Sequence, residues 1–145
     1  QGRDMSNQTP MTEQQVLINL MLAMAAADET INDAELSRIE RLIDFLPVFE
    51  NFPPEDLSIV TNSFIELMAV EEGLDSLMTL LASTLPHELH ETAYALAVEI
   101  AAADLTVTPE ELRLLDMLRD FLKVDKLAAA AIERGARARF RKIPK

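Results

Sequence analysis

One phrase of this sequence occurs twice, and this internal repeat constrains the fold more than any other feature. The stretch AAADETINDAE at residues 25–35 returns as AAADLTVTPEE at residues 101–111. When residues 25–46 are aligned with residues 101–122, eleven of the 22 positions are identical. Two copies are too few for a solenoid, because stacked repeats need about three units or more. The repeat therefore predicts two related helix–loop–helix units that pack on each other about a pseudo-twofold axis.

The composition favours helix along the whole chain. Glycine occurs only 3 times, whereas Ala, Leu, Met and Glu, which lose little side-chain freedom in a helix, are abundant. No strand or hairpin pattern is present, so the sequence predicts an all-α fold of about seven helices. Gly73 is expected to end the third helix, and Phe45 and Phe121, at matched positions of the repeat, are expected to be buried. Four helices have a capping residue at their predicted start: Thr12, Asn32, Thr108 and Asp125.

The length of the chain predicts a single domain. A chain of 145 residues can bury a substantial core but is short for two domains. We expect this domain to cover residues 12–140, after a polar, disordered segment at residues 1–11 whose first four residues resemble an expression scar before Met5. Residues 141–145 form a basic C-terminal tail, and deletion of residues 136–145 is expected to leave the core folded.

Each copy of the repeated turn carries the pattern of a helix start. In NDAE and TPEE, Asn32 and Thr108 are the capping residues. Glu35 and Glu111 follow three positions later, where a glutamate can reach back to the amide of the capping residue. A purely structural role as a helix corner therefore accounts for much of the repeated sequence.

The repeated aspartates, Asp28 and Asp104, are less easily explained in this way. Both are predicted at the C-terminal end of a helix, where the helix dipole disfavours negative charge. An aspartate at such a position can accept hydrogen bonds from loop amides in a local turn. Alternatively, the aspartate and the following glutamate flank a hard cation such as calcium or magnesium, which prefers oxygen ligands. The residues alone leave both interpretations open.

Two longer stretches resemble the paired signature of the TerB-like tellurite-resistance family. They are MLAMAAADETINDAELSRIERLI and AVEIAAADLTVTPEELRLLDMLRDFL, and the resemblance extends over about residues 12–140. It implies an all-helical, pseudo-symmetric domain, a non-enzymatic role in tellurite and other stress responses, and a metal site. The glycine that usually follows each aspartate of the family is Glu29 in the first copy and Leu105 in the second. Carried over by position, the metal ligands implied by the resemblance are Asp28, Glu35, Asp104 and Glu111.

No other motif in the sequence predicts catalysis. The stretch HELHE at residues 87–91 differs from the zinc-protease pattern HExxH, because Glu91 stands where the second histidine is needed. The chain has no cysteine, and it has neither a nucleophile elbow nor a glycine-rich phosphate loop. We therefore expect a protein that is not an enzyme, and a hydrolytic or redox metalloenzyme is the third alternative, after a metal-binding protein and a docking module.

The charge of the chain is distributed unevenly. The net charge is −12, yet residues 123–145 hold eight of the 13 basic residues and only two of the 25 acidic ones. An acidic body repels nucleic acid phosphates, so we expect no nucleic-acid partner. It could instead attract a basic protein, and an interaction module that docks such partners through its acidic surface, without metal, is the alternative to a metal-binding function.

The basic C-terminal segment suggests a second kind of contact. Arg134, Arg137 and Arg141 share one helical face, and with Ile132 and Phe140 as anchors they could make peripheral contact with an anionic membrane. We favour the alternative that this segment folds over the acidic body or frays. A membrane-spanning helix needs about 18 consecutive apolar residues, and no apolar run in the sequence is that long. We expect a cytoplasmic location.

Overall fold

The computed structural model describes residues 10–27, 31–103 and 106–145, and over these ranges it contains helices and no strands. Short 3₁₀ turns at Pro47–Phe49, Pro54–Asp56 and His87–Leu89 connect some of the helices. The prediction of an all-α fold with about seven helices is confirmed. The α-helices in chain order are α1 (Glu13–Ala25), α2 (Asp33–Phe45), α3 (Leu57–Met68), α4 (Gly73–Thr84), α5 (His90–Ala102), α6 (Pro109–Leu122) and α7 (Lys126–Arg139).

Side-chain caps fix the starts of the first and last helices. The amide of Gln15 donates to Thr12 Oγ1 at 3.1 Å, and Gln15 Oε1 in return accepts from the Thr12 amide at 3.0 Å. Asp125 caps α7 by accepting from the amides of Leu127 and Ala128 at 3.0 and 3.2 Å. These bonds satisfy amides that have no partner inside the helix. The capping roles predicted for Thr12 and Asp125 are therefore confirmed.

Helix α1 lies at the centre of the domain. Ten consecutive residues, 16–25, are buried, so this helix is covered on every side. It packs against α3, α4 and α5, and a helix that is apolar all round is typical of such a central position. Asn19 is the buried polar side chain of the described core, and its Nδ2 donates to the Gln15 carbonyl at 3.0 Å.

Gly73 lies at the corner between α3 and α4, where the two helices come very close. A Cβ atom at this position would lie 2.1 Å from the backbone oxygen of Leu67. The expectation that Gly73 ends the third helix is wrong: α3 ends at Met68, and Gly73 is the first residue of α4. Glycine is needed here because the corner leaves no room for a side chain.

The two repeated units are the helix pairs α1–α2 and α5–α6. Their first helices pack directly on each other, and both second helices begin with a capping box. The second helix of each unit begins at an equivalent position of the repeat. These positions are Asp33 and Pro109, which are 76 residues apart, the same offset as the sequence repeat. The pseudo-twofold relation between the two units stays a prediction.

The prediction that Phe45 and Phe121 are buried is wrong. Phe45 is 84% exposed and Phe121 is 40% exposed. The buried face of α2 is formed by Ile39 and Ile43, and Phe45 lies two residues beyond Ile43, about 200° further around the helix. Phe45 therefore points away from the core on which α2 packs, whereas Phe121 lies beside the buried face of α6 and is only partly covered.

Helix α7 packs against α5 and belongs to the folded domain. Ala129 and Ala136 are buried in this contact, and Ile132 packs against the core. Two polar contacts reinforce the packing, one between Tyr94 and Glu133 and one between Glu99 and Arg139. Across the described part of the chain, no helix has both the length and the apolar character required to span a bilayer.

Candidate functional site

The repeated turn is described only in part. Asp28 and Asp104, two of the four residues proposed as metal ligands, lie outside the described residues, as do Glu29, Thr30 and Leu105. The two glutamates, Glu35 and Glu111, are described and lie in the first turns of α2 and α6.

Both glutamates take part in a capping box. The Asn32 amide donates to Glu35 Oε1 at 2.9 Å, and the Glu35 amide donates to Asn32 Oδ1 at 2.8 Å. In the second unit, the Thr108 amide donates to Glu111 Oε1 at 2.9 Å, and the Glu111 amide donates to Thr108 Oγ1 at 3.1 Å. The local role predicted from the sequence is thus confirmed in both copies. An ionised carboxylate has acceptor sites on both oxygens, so a capping bond leaves it chemically able to contact a cation.

A cavity of about 350 Å³ adjoins both repeated units. Ala26 and Ala27, which immediately precede Asp28, form one part of its wall, and Glu110 and Arg113, from the first two turns of α6, form another. The end of the first helix of one unit therefore lies near the start of the second helix of the other. The remaining walls are mainly apolar and are formed by Ala23, Phe64, Met68, Leu74, Leu114 and Met117.

A complete metal cluster is not found among the residues that the structure describes. Within ranges 10–27, 31–103 and 106–145, no group of three or more His, Asp or Glu side chains is arranged to hold a metal ion. Since Asp28 and Asp104 fall in the two gaps between these ranges, the four-carboxylate site stays a prediction.

The two histidines of the HELHE stretch make contacts within the folded domain. His90 Nδ1 lies 3.2 Å from the carbonyl oxygen of Leu122, and its Nε2 lies 3.1 Å from the carbonyl oxygen of Leu85. The ring therefore bridges the end of α6 and the connection after α4. The rings of His87 and His90 meet edge to face, with centroids 5.4 Å apart. The two carbonyl contacts position the start of α5 and engage both ring nitrogens of His90.

Sequence reasoning missed a second cavity, of about 270 Å³, between α5, α6 and α7. At its polar end the buried Tyr94 hydroxyl donates a hydrogen bond to Glu133 Oε2. Burial, reinforced by the bond to Glu133, raises the pKa of Tyr94 far above its ordinary value of 10.0, so the phenol stays protonated. Asp116 and Arg119 form an ion pair at 3.2 Å in the same wall.

The sequence offered one signal for this second cavity. Tyr94 is the only tyrosine of the chain, and it stands on an otherwise alanine-rich apolar helix. A buried tyrosine usually finds a partner for its hydroxyl. The identity of that partner, 39 residues further along the chain, has no local signature and depends on the packing of α7.

Comparison with known proteins gives a match over most of the chain. The model of the family described as "Tellurite resistance protein TerB" matches residues 14–134. No curated protein and no solved structure matches the sequence.

Proposed function

The chain belongs to the TerB tellurite-resistance family, and from this membership we propose that it is a non-catalytic stress-response protein that binds a divalent cation of the calcium or magnesium class. The proposed site is formed by the two repeated turns. Its ligands would be Asp28, Glu35, Asp104 and Glu111.

The shared cavity wall supports this proposal most directly. Ala26 and Ala27 lead into Asp28, and they line the same cavity as Glu110, which precedes Glu111. On this proposal the acidic side chains of the two turns approach one another. The proposed ligands are oxygens of carboxylates, which is the donor type that calcium and magnesium prefer.

The electrostatics of such a cluster favour a bound cation. Two unit charges 4 Å apart interact by about 4 kcal/mol at an effective dielectric constant of 20. Four converging carboxylates would therefore repel one another strongly unless a cation lay among them. Arg113 contributes a positive charge to the same cavity wall and would neutralise part of this repulsion.

A second candidate function is a docking module that binds basic proteins through its acidic surface without metal. The capping bonds of Glu35 and Glu111 favour it, because they give both glutamates a structural role that needs no ion. The excess of acidic side chains before residue 123 supplies the complementary charge. The same experiment distinguishes the two functions.

The test is thermal unfolding during titration with calcium or magnesium. Binding to the folded state alone stabilises it by about 2.7 kcal/mol at a hundredfold excess over the dissociation constant. The Asp28→Asn and Asp104→Asn variants keep an acceptor for the local turn but remove its charge, so each should lose the stabilisation by divalent ions. Their melting without metal should change little.

Matched controls are provided by another pair of duplicated aspartates. Asp44 and Asp120 are related by the same repeat, and both are exposed near the C-terminal ends of the second helices. The Asp44→Asn and Asp120→Asn variants should keep the full response to divalent ions. If the Asp28 and Asp104 variants respond to metal as the parent does, the metal function is wrong. Unchanged melting of the parent in all divalent ions would favour the docking module.

A further inference from the structure

A groove on the surface of the domain brings together residues from α2 and from the C-terminal end of α7. Its volume is about 530 Å³. Phe140 lies at one side, directly after α7, and Glu99 of α5 also contributes to its wall. The α2 residues that line it are Arg38, Arg41, Leu42, Asp44 and Phe45. It is separate from the cavity beside the repeated turns and shares no lining residue with it.

Phe45 gives this groove an unusual apolar rim. Its side chain is 84% exposed, so almost the whole ring faces water. A second exposed apolar side chain lies in the C-terminal tail after Phe140, where Ile143 is 89% exposed. Large apolar side chains that protrude in this way have no partner within the described domain.

The charge of the same surface is opposite to that of the whole protein. Arg38 and Arg41 are two of the five basic residues that precede residue 123, and both line the groove. The tail that continues from Phe140 adds three further cations, at Arg141, Lys142 and Lys145, and all three are exposed. Two carboxylates belong to the groove, and one of them, Glu99, is already paired with Arg139.

We propose that this groove and the adjoining tail, residues 140–145, form a docking surface for the anionic phospholipid surface of a membrane. The exposed cations would meet lipid phosphates, and Phe45 and Ile143 would enter the boundary between head groups and acyl chains. Basic side chains flanking apolar anchors are the combination that holds a protein at such an interface. The proposal does not depend on metal binding at the repeated turns.

The shape of the surface favours a bilayer over an acidic peptide. A peptide partner gains affinity when its anchor side chains fill enclosed, desolvated pockets. Here the apolar side chains of Phe45 and Ile143 stand out from the protein, since both are more than four-fifths exposed. Protruding anchors fit a soft interface that can close around them.

The net charge of −12 does not prevent this contact. At physiological ionic strength the Debye length is about 8 Å, so exposed carboxylates farther away than this are largely screened. The contact energy is set by the charges that face the lipid. Because it is electrostatic, binding should weaken as the salt concentration rises.

The test is sedimentation of the full chain with lipid vesicles. The parent should bind vesicles of phosphatidylcholine mixed with phosphatidylglycerol and should not bind vesicles of phosphatidylcholine alone. The Arg38→Gln/Arg41→Gln double variant should bind about 25-fold more weakly, because each cation near an anionic surface contributes about fivefold. Phe45→Ser removes the ring that would enter the lipid, and it should weaken binding about tenfold or more.

The repeat and two exposed lysines provide matched controls. Phe121→Ser removes the counterpart of Phe45, and Lys123→Gln/Lys126→Gln removes the same charge from positions outside the groove and outside both cavities. Both should bind vesicles within about twofold of the parent, with circular dichroism showing that each variant is folded. Absence of binding to anionic vesicles, or equal losses in the groove and control variants, would overturn the proposal. Binding to soluble polyglutamate without binding to vesicles would overturn it in favour of an acidic protein partner.

Discussion

The hydroxyl of Tyr94 on α5 donates a hydrogen bond to the carboxylate of Glu133 on α7. This bond joins the C-terminal helix to the second repeated unit. Because the tyrosine is buried and the acceptor is charged, the bond belongs to the stronger class of side-chain hydrogen bonds.

Removal of this bond should destabilise the domain. Tyr94→Phe keeps the ring but leaves Glu133 without its donor, and we expect a loss of about 1–3 kcal/mol in the free energy of unfolding. Urea unfolding followed by circular dichroism measures this loss. Glu133→Gln, which keeps an oxygen acceptor for the tyrosine, should lose less. Equal stability of Tyr94→Phe and the parent would show that the bond contributes nothing.

The same tyrosine makes stability depend on alkaline pH. Its pKa is raised in the folded protein above the unfolded value of 10.0, chiefly by burial. The unfolded chain therefore loses its phenolic proton first, and the stabilisation is complete below pH 10.0 and declines as the pH rises above that value. Tyr94→Phe should lack this component of the decline. Because Tyr94 is the only tyrosine and tryptophan is absent, near-ultraviolet absorbance reports its ionisation directly.

The two capping glutamates allow the structural and ionic roles of the turn to be separated. Gln15 already performs the same capping role at the start of α1 through its Oε1 atom. Glu35→Gln and Glu111→Gln should therefore preserve the capping boxes, while removing one charge each from the proposed cation site. We expect melting without metal within about 0.5 kcal/mol of the parent, together with weaker stabilisation by calcium or magnesium.

Loss of the capping residue itself should have a different effect. Asn32→Ala and Thr108→Ala remove the acceptors of the Glu35 and Glu111 amides, and each should cost about 1 kcal/mol whether or not metal is present. Thermal unfolding of all four variants, with and without divalent ions, makes the comparison. If the alanine variants melt with the parent, the capping bonds do not hold the two turns.

Two glycines should respond in opposite directions to alanine substitution. Gly73→Ala would place a Cβ atom 2.1 Å from the Leu67 backbone oxygen, and the backbone shift that follows should cost about 1–3 kcal/mol. Gly135 lies inside α7, and the nearest atom to a Cβ there would be a side-chain nitrogen of Arg139, 3.6 Å away. Gly135→Ala should therefore stabilise the domain by about 0.5–1 kcal/mol. Chemical denaturation of both variants tests the pair, and a destabilised Gly135→Ala would contradict the described environment of α7.

Truncations of the C-terminus should separate the tail from the packed helix. Deletion of residues 141–145, which are all exposed, should leave the melting temperature unchanged. Deletion of residues 136–145 should lower it while leaving a cooperative transition, because this change also removes the buried Ala136 and the Arg139 contact with Glu99. Loss of cooperative melting in the longer deletion would show that the last turn of α7 is essential to the core.

Local chemistry explains why much of the fold could be predicted. The helix starts follow from capping residues such as Asn32 and Thr108, whose hydrogen bonds span only three residues. The two capping boxes of the repeat could therefore be predicted from short stretches of sequence. The position of one capping box relative to the other depends on how α1, α5 and α6 pack. No local sequence pattern predicts that packing.

The errors concern helix faces and distant partners. The sequence predicts that Phe45 is buried because it would close the apolar face of its helix, but its position around α2 places it opposite Ile43. The Tyr94–Glu133 bond joins helices that are not adjacent in sequence. The close approach at Gly73 depends on the path of the backbone through a corner. Each of these features is decided by tertiary packing.

The complete burial of α1 has a consequence for the synthesis of the chain. This helix is translated first among the seven, yet α5, on which it packs, begins only at His90. At about 5–20 residues per second, the ribosome needs several seconds to supply that partner. During this interval the nascent chain exposes an apolar helix that has no polar face to turn toward water, so we expect ribosome-associated chaperones to bind it. Crosslinking to stalled chains that end before and after α5 would test this, with the contact disappearing once α5 has emerged.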